Sequence, residues 1–217
     1  MKIAIITGIS RGIGKAIAEK FLNEGFRVIG LSTSGNYPFQ HKYLVVHKID
    51  LANPIGIKRF VEIIEDQKEK IDIVINNAGI SIDKSSTISI DILKKTLDVN
   101  LYGLIQLTEQ LIPFVNKGGH IINLSSGLGS LKDATNSYSP SYRISKAAVN
   151  MYTRTLASRL KDKNITVSCV DPGWVKTDMG GSGAQREPAD AADDIFELAN
   201  AKVDSGYFWY QGTKKAW

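Results

Sequence analysis

The chain has 217 residues, of which 43% are hydrophobic and 23% charged, and its formal net charge is +5. This length suits a single α/β domain with one sizeable core. Because the Lys and Arg residues are scattered among acids, without a long basic run or interleaved aromatic residues, we expect no nucleic acid partner.

The sequence also lacks the patterns of membrane proteins, secreted proteins and metal sites. No segment reaches the roughly 20 unbroken apolar residues of a membrane helix, and the opening MKIAIITGIS reads as a strand and turn rather than a signal peptide. The single cysteine, Cys169, excludes an internal disulfide, fits a reducing compartment and reads as a small buried strand residue. His41, His47 and His120 have no neighbours at ligand spacing. We therefore expect a cytoplasmic protein with no membrane partner and no bound metal.

Short apolar runs typical of buried strands alternate with amphipathic helical patterns along the chain. Strands are predicted at Ile3 to Thr7, Phe26 to Leu31, Leu44 to Ile49, Ile71 to Ile75, His120 to Leu124, Ile165 to Val170 and Gly206 to Tyr210. Helices are predicted at residues 12 to 24, 54 to 68, 89 to 115, 141 to 161 and 188 to 200. Since strand, helix, strand connections force parallel pairing, residues 1–217 should form one α/β domain, a Rossmann-type doubly wound, seven-stranded parallel sheet. Functional residues should lie at the carboxyl ends of its strands.

The first strand runs into a glycine-rich turn, Thr7-Gly8-Ile9-Ser10-Arg11-Gly12-Ile13-Gly14, that opens a helix. Glycine allows tight turning and leaves room for a pyrophosphate against bare main chain. The helix N-terminus adds free N–H groups and a partial positive charge. The spacing Gly-x-x-x-Gly-x-Gly is a weak signal alone, but its position after a strand predicts a dinucleotide site. The predicted contacts are Gly8, Ser10, Arg11, Gly12, Ile13 and Gly14.

The second strand distinguishes between the two nicotinamide cofactors. It ends Leu31-Ser32-Thr33-Ser34, without the acid that would accept from a ribose 2'-hydroxyl. Ser32 and Thr33 can donate to a 2'-phosphate, and Arg11 can add charge-assisted hydrogen bonds. We therefore expect NADP(H) rather than NAD(H), although Arg11 as a solvated loop cation is the alternative.

Together with three further motifs, the glycine turn resembles the short-chain dehydrogenase/reductase family. These motifs follow the family's order along nearly the whole chain: Asn76-Asn77-Ala78-Gly79, the Tyr-x-x-x-Lys of Tyr142 to Lys146, and Pro172-Gly173. The resemblance implies an oxidoreductase that transfers hydride between NADP(H) and a carbonyl or alcohol, with reduction of an aldehyde or ketone favoured. It also implies a homodimer or homotetramer formed through the helices at 89–115 and 141–161.

The resemblance extends to the cofactor contacts. Asp50 resembles the family's adenine-binding aspartate, with Leu51 beside it, although an N-cap aspartate is the alternative. Thr177 and the main chain of Val175 resemble contacts to the nicotinamide carboxamide. The remaining contacts expected by resemblance are Asn77, Ala78, Gly79, Tyr142, Lys146, Pro172 and Gly173.

Tyr142 and Lys146 lie four residues apart in a helical stretch and therefore share a face. A phenol has a pKa of about 10, and a neighbouring ammonium together with a positively charged nicotinamide ring would favour the phenolate; a shift to about 7 needs roughly 4 kcal/mol. Taken alone, such a pair is usually a solvated or packing pair. The family resemblance implies that Tyr142 exchanges the proton, that Lys146 holds the nicotinamide ribose and that Ser126 binds the substrate oxygen. It also implies that Asn100 bends a helix and holds a water near the lysine, a tolerated mid-helix Asn being the alternative.

Two segments depart from simple rules. Ser126 stands 16 residues before Tyr142, a few more than the family usually has, so the intervening segment carries a short insertion beside the substrate pocket. Ser125 remains an alternative to Ser126, because strand alternation lets only one of them face the site. The Gly-rich loop from Thr177 to Pro188 is either a mobile flap or a plain connection.

The predicted fold is compatible with two alternative functions. A nucleotide-binding sensor or scaffold would keep the fold without turnover, against which the intact Ser, Tyr and Lys argue. A nucleotide-sugar enzyme would need a large carboxyl-terminal substrate domain, for which we expect no room after the seventh strand. Apolar residues such as Trp174 near the predicted cleft suggest a modest apolar substrate.

Overall fold

A computed structural model describes residues 1–38, 40–132 and 134–217 of the chain. Within these residues eight strands form one sheet in the order β3-β2-β1-β4-β5-β6-β7-β8. The strands are β1 Ile3–Thr7, β2 Arg27–Ser32, β3 Leu44–Lys48, β4 Ile71–Asn76, β5 Val115–Leu124, β6 Thr166–Val170, β7 Tyr207–Tyr210 and β8 Thr213–Lys215. Strands β1 to β7 pair in parallel, which confirms the predicted doubly wound architecture.

The predicted count of seven strands is wrong by one, because β8 pairs antiparallel with β7. Its sequence, Thr-Lys-Lys, contains no apolar run, so the pattern that marks buried strands is missing. The two strands are joined by Gln211 and Gly212, whose φ angles of 48° and 73° are both positive. A two-residue loop with both φ angles positive matches the right-handed twist of a hairpin. The sheet is therefore parallel apart from this last strand.

Helices cover both faces of the sheet. They are α1 Gly12–Asn23, α2 Pro54–Asp66, α3 Ile90–Leu97, α4 Leu104–Leu111, α5 Pro140–Leu160 and α6 Pro188–Asn200. Helices α1 and α6 pack on one face, where Ile6 and Phe21 are buried, and α2, α4 and α5 pack on the other, where Ile5 and Phe60 are buried. Burial on both faces explains why the strands read as continuous apolar runs rather than as alternating patterns.

The helix predicted over residues 89 to 115 is interrupted. Between α3 and α4 the residues Asp98–Gly103 form a π-helical turn, and a short 3-10 turn, Ile112–Phe114, follows α4. At Gly103 the helix lies against β3's connection to α2, so closely that a Cβ atom would stand 2.2 Å from the Leu51 carbonyl oxygen. The periodicity of apolar residues carries through this segment, which is why the sequence predicts one helix.

A chain of buried polar side chains crosses the core between β4, β5, α4 and α5. The Asn76 amide donates to Thr108 Oγ1 and to Asn123 Oδ1, both at 2.8 Å. The Asn123 amide donates in turn to Thr153 Oγ1 at 2.9 Å. Since buried polar groups are stable only when paired in a defined geometry, this network fixes how the two helices sit on the two strands.

Three observations bear on the compositional expectations. Cys169 lies fully buried in β6, as predicted. Among the described residues, no group of three or more His, Cys, Asp or Glu side chains is placed to hold a metal ion. No helix in the same residues combines the length and apolarity needed to cross a membrane.

Candidate active site

A cleft of about 740 Å³ opens at the carboxyl ends of the parallel strands and runs from the glycine turn to α5. Most of the residues predicted for the site line it: Gly8, Ser10, Arg11, Gly12, Ile13, Gly14, Ser32, Thr33, Asp50, Leu51, Asn77, Ala78, Gly79, Tyr142, Lys146, Pro172 and Thr177. Four do not line it directly: Asn100, Ser126, Gly173 and Val175. The structure thus brings residues from six strand ends into one elongated cleft.

The glycine turn is packed too closely to accommodate side chains at its glycine positions. Gly8 and Gly12 have φ angles of 75° and 57°, in the left-handed region that favours glycine. A Cβ atom at Gly14 would stand 2.2 Å from the Gly8 carbonyl oxygen, so no other residue fits there. The Asn77 amide donates to the Thr7 carbonyl at 2.8 Å and thereby fastens the end of β4 to the turn.

At the far end of the cleft, β2 ends in hydroxyls. The Ser32 side chain is buried, and its Oγ accepts from the Gly35 N–H at 3.1 Å, whereas Thr33 is exposed. Asp50 is exposed as well, and its Oδ1 accepts from the Ala52 N–H at 2.9 Å. Thr33 and Asp50 are thus accessible to a ligand, whereas the Ser32 hydroxyl stabilises the turn that follows β2.

Arg11 forms an ion pair with Asp178 across the mouth of the cleft. The guanidinium and the carboxylate lie 3.1 Å apart, and both side chains are more than three-quarters exposed. Exposed pairs contribute little free energy, so a phosphate can compete with Asp178 for this arginine. The bare glycine turn and the N-terminus of α1 fit the pyrophosphate of a nicotinamide dinucleotide.

Tyr142 and Lys146 project from α5 into the other end of the cleft. The Lys146 ammonium is 3% exposed and donates to the Leu124 carbonyl at 2.7 Å. It lies 5.5 Å from the centre of the Tyr142 ring. The Tyr142 hydroxyl has Ser126 as its hydrogen-bonding neighbour. Ser125 is buried and donates instead to the Lys146 carbonyl at 3.3 Å, so the geometry favours Ser126 as the serine of the site.

Burial shifts the pKa values of this pair. The pKa of Tyr142 is raised to about 12, chiefly by burial; a hydrogen bond from Ser126 lowers it, and the charge of Asp171 raises it by a smaller amount. Burial also lowers the pKa of Lys146 to about 8. Without the cofactor the pKa of Tyr142 is therefore raised, because the buried phenol loses hydration. The phenol is then protonated at neutral pH. The predicted lowering refers to the complex with a charged nicotinamide ring, and it stays a prediction.

Asn100 lies in the π-helical turn and is fully buried. Its Oδ1 accepts from the Ile80 N–H at 2.8 Å, and its amide donates to the Ile80 carbonyl at 2.9 Å and to Ser145 Oγ at 3.0 Å. A Cβ atom at Gly79 would lie 3.3 Å from Asn100 Oδ1 and 3.6 Å from Lys146 Nζ. Asn100 thus ties the segment after β4 to α5, immediately behind the lysine.

A model of the short chain dehydrogenase family matches residues 2–188. The chain belongs to the short-chain dehydrogenase/reductase family. A curated relative, the 3-oxoacyl-acyl-carrier-protein reductase FabG of Vibrio harveyi, is 33% identical over 218 residues, which cover 93% of this chain and 88% of the relative.

Solved structures of the family superpose over the whole chain. The carbonyl reductase Sniffer of Drosophila melanogaster has a TM-score of 0.87 at 27% identity, covering 100% of this chain and 99% of its own. A Burkholderia multivorans short-chain dehydrogenase/reductase with bound NADP has a TM-score of 0.90 at 26% identity, with the same coverage. This short-chain dehydrogenase/reductase is accordingly an NAD(P)-dependent oxidoreductase that acts on the CH–OH and C=O groups of small molecules.

Sequence reasoning missed Asp83, which in this short-chain dehydrogenase/reductase holds the start of α5. Its carboxylate accepts from the N–H groups of Ser141 at 3.2 Å and Tyr142 at 3.1 Å. Ser139, at the N-cap position, makes no capping bond with its side chain. Asp83 lies 58 residues before Ser141, so no local sequence signal reveals this cap.

The segment after β6 folds back over the glycine turn. Gly173 has a φ of 78°, and its N–H donates to Asp171 Oδ1 at 3.0 Å. The Thr177 methyl group lies 3.1 Å from where a Cβ of Gly12 would stand. Val175 is buried and bridges to Arg186, so its side chain faces away from the cleft. These contacts bring the loop predicted as a flap or a plain connection against the cofactor end of the site.

Proposed function

We propose that the protein is an NADP(H)-dependent carbonyl reductase of an aldehyde or ketone. One observation carries the proposal: Tyr142 and Lys146 line one end of a cleft, with Ser126 next to the Tyr142 hydroxyl, and the other end of the same cleft is a bare glycine turn. The curated relative FabG is a 3-oxoacyl reductase and Sniffer is a carbonyl reductase, so carbonyl reduction occurs in proteins similar to this chain.

Three features support NADP(H) over NAD(H). The end of β2 has no carboxylate to repel a phosphate, the exposed Thr33 can donate to it, and Arg11 can exchange Asp178 for it. The similar structure from B. multivorans holds NADP. The glycine turn, Asp50, Leu51, the segment from Asn77 to Gly79 and the segment from Pro172 to Thr177 would hold the remainder of the cofactor.

The nicotinamide of a bound cofactor supplies hydride to the carbonyl carbon or takes it from the alcohol. Residues of the chain bind the carbonyl oxygen of the substrate and supply its proton. Ser126 and Tyr142 donate hydrogen bonds to the carbonyl oxygen, and as the C–H bond forms the Tyr142 O–H bond breaks and its proton moves to that oxygen. Tyr142 has a pKa raised to about 12, so it carries the proton that reduction requires.

Lys146 and Asn100 support this proton transfer. The Lys146 ammonium is placed to donate to the ribose hydroxyls and to stabilise negative charge on Tyr142 after the proton has left. Asn100 holds the main chain at Ile80 against α5, and this contact fixes the position of Lys146 behind Gly79. A water between Asn100 and Lys146 would return the proton to Tyr142.

The substrate we propose is modest in size and apolar near its carbonyl. Met179 lines the cleft and is half exposed, and Trp174 is exposed on the segment that follows Gly173. Trp174 is held by a hydrogen bond from its indole N–H to the Gly180 carbonyl at 2.8 Å. A fixed indole and a thioether favour apolar groups. A substrate screen in which only charged sugars react would contradict this choice.

We also propose a cytoplasmic homodimer or homotetramer formed through α3, α4 and α5. Ile90, Tyr102 and Met151 are exposed large side chains on or between these helices. Contiguous exposed apolar groups on helices favour association. Light scattering that gives a monomer at micromolar concentration would contradict the assembly.

The test measures NADPH oxidation with aldehydes, ketones and diketones, comparing the wild type with Tyr142→Phe. We expect the variant to lose about 10³-fold in kcat, since it lacks the proton donor, with little change in its Kd for NADPH. Tyr152→Phe on the same helix, where the hydroxyl bonds Glu109 instead, should keep its turnover. Full turnover in Tyr142→Phe would refute the mechanism. Binding of NADPH by a wild type that oxidises none would favour the alternative, a sensor or scaffold.

A further inference from the structure

The last strand, β8, carries two adjacent lysines on opposite faces of the sheet. Lys214 pairs with Asp204 at 2.7 Å, and this pair is largely exposed. Lys215 pairs with Asp171 Oδ2 at 2.9 Å on the side of the active site. Because successive residues of a strand point to opposite faces, the two lysines share a strand but differ in what they can influence.

Asp171 is a buried carboxylate at the end of β6. It is 6% exposed, and its Oδ1 accepts from the Gly173 N–H at 3.0 Å. A Cβ atom at Gly127 would stand 2.9 Å from Asp171 Oδ2 and 3.0 Å from Lys215 Nζ. The ion pair therefore packs directly against the residue that follows Ser126, behind the end of β5 that carries the hydroxyl facing Tyr142.

Several charged groups surround Tyr142, and they act in different directions. Asp171 disfavours the phenolate. Asp83 binds the main-chain N–H of Tyr142, and the Lys146 ammonium points to the Leu124 carbonyl. Arg143 is directed away, toward Asn136 and the carbonyls of Leu128 and Tyr138. The Cys169 thiol is neutral, since burial raises its pKa to about 12. Lys215 is the cation in direct contact with the carboxylate that opposes ionisation of Tyr142.

We propose that Lys215 is a positioning residue for the reaction: by neutralising Asp171 it lets Tyr142 ionise and holds the Ser126–Gly127 main chain in place. This inference rests on the proposed function of Tyr142 as the group that exchanges a proton. A buried carboxylate that loses its partner is costly and repels any negative charge nearby. Lys215 thus affects the ionisation of Tyr142 through Asp171, without contacting the substrate or cofactor.

The test is the pH dependence of kcat for alcohol oxidation with NADP⁺, in which Tyr142 must be ionised. At low ionic strength, Lys215→Met should move the midpoint up by about one pH unit, because Asp171 is left uncompensated. The double variant Lys215→Met with Asp171→Asn should return toward the wild-type midpoint, and Asp171→Asn alone should move it down. Lys214→Met, one residue away and equally ion-paired, should leave it unchanged.

A second readout separates this inference from the proposed function. Tyrosine labelled with ¹³C at Cζ, with the Tyr142 signal assigned by its loss in Tyr142→Phe, reports ionisation directly in the NADP⁺ complex. A moved Tyr142 titration with an unmoved rate profile would refute Tyr142 as the proton donor, and with it the role of Lys215 in the reaction. Equal midpoints by both readouts in Lys215→Met, Lys214→Met and the wild type would overturn the inference, while inactivity of Tyr142→Phe would still uphold the function.

Discussion

At the glycine turn the protein offers a ligand the main-chain N–H groups of a closely packed turn, whereas at the other end of the cleft it offers side chains that distant main-chain atoms hold in place. Gly14 has no room for a methyl group. Lys146, by contrast, is held by the Leu124 carbonyl, and Asn100 by both polar main-chain groups of Ile80. Substitutions that add atoms should therefore impair cofactor binding at the glycine turn, and substitutions that remove atoms should impair catalysis at the other end.

The largest expected effect removes atoms at the reaction end. Lys146→Met keeps much of the side-chain volume but deletes the ammonium, so we expect kcat for carbonyl reduction to fall about 10²- to 10³-fold. The free energy of unfolding should not decrease in parallel, because the variant no longer buries a charge. Steady-state kinetics with urea denaturation checks both points, and Lys94→Met on the exposed face of α3 is the control. A kcat within tenfold of the wild type would show that catalysis does not depend on the Lys146 ammonium.

The next effect adds one carbon at the other end. Gly14→Ala would place Cβ 2.2 Å from the Gly8 carbonyl oxygen, so the turn must move. We expect the Kd for NADPH to rise by about two orders of magnitude, and the protein to lose roughly 2 kcal/mol or more of stability. Fluorescence titration and thermal unfolding measure these changes.

A matched glycine sharpens the result. In α2, a Cβ at Gly56 would meet its nearest atom at 3.6 Å, an ordinary contact. Gly56→Ala should therefore stabilise the protein by about 0.5–1 kcal/mol and leave the Kd for NADPH unchanged. If both alanine variants bound NADPH equally well, cofactor binding would not depend on the close packing of the glycine turn.

A smaller effect tests the support of the reaction end. Asp83→Ala removes the acceptor for the N–H groups of Ser141 and Tyr142, so we expect a loss of about 1 kcal/mol in stability and a decrease of several-fold in kcat. Asp83→Asn keeps one acceptor oxygen and should fall between this variant and the wild type. If kcat of Asp83→Ala equals that of the wild type while its stability decreases, the cap supports the fold without orienting Tyr142.

The smallest effect concerns a side chain at the cofactor end. Asp178→Asn releases Arg11 from its exposed ion pair. We expect the Kd for NADPH to fall by about twofold, because exposed pairs contribute less than about 1 kcal/mol. The Kd for NADH should not change, and the gain should vanish at high salt. A matching gain for NADH would show that Arg11 does not serve the 2'-phosphate.

Much of this architecture follows from apolar periodicity. β1, Ile3–Thr7, and α6, Pro188–Asn200, begin and end where the sequence predicts, because a buried strand and an amphipathic helix both bury a regular set of side chains. The position of the cleft follows as well, since parallel strands place their carboxyl ends together. The sequence thus predicts the glycine turn, Gly8 to Gly14, at this cleft, whereas only the resemblance to the family predicts Tyr142 and Lys146 there.

The features that the sequence does not reveal depend on contacts between distant residues. The resemblance to the family implies a bend at Asn100, but not the hydrogen bonds from its amide to Ile80 and Ser145. Asp83 caps a helix from a different part of the chain. The ionisation of Tyr142 depends on burial, which no spacing of Tyr and Lys reports. β8 depends on a Gln-Gly hairpin rather than on the Asn-Gly or Asp-Gly pairs that signal such turns.

The row of asparagines and threonines from Thr108 through Asn76 and Asn123 to Thr153 has a consequence for engineering. Leucine and valine of similar volume could replace the whole row at little cost in free energy, because a polar network buried in a core is weak support for stability. Such a redesigned protein would melt no earlier, yet α5 could slide on the sheet and carry Tyr142 out of line with Ser126. In this enzyme, thermal robustness and catalytic alignment are separable properties.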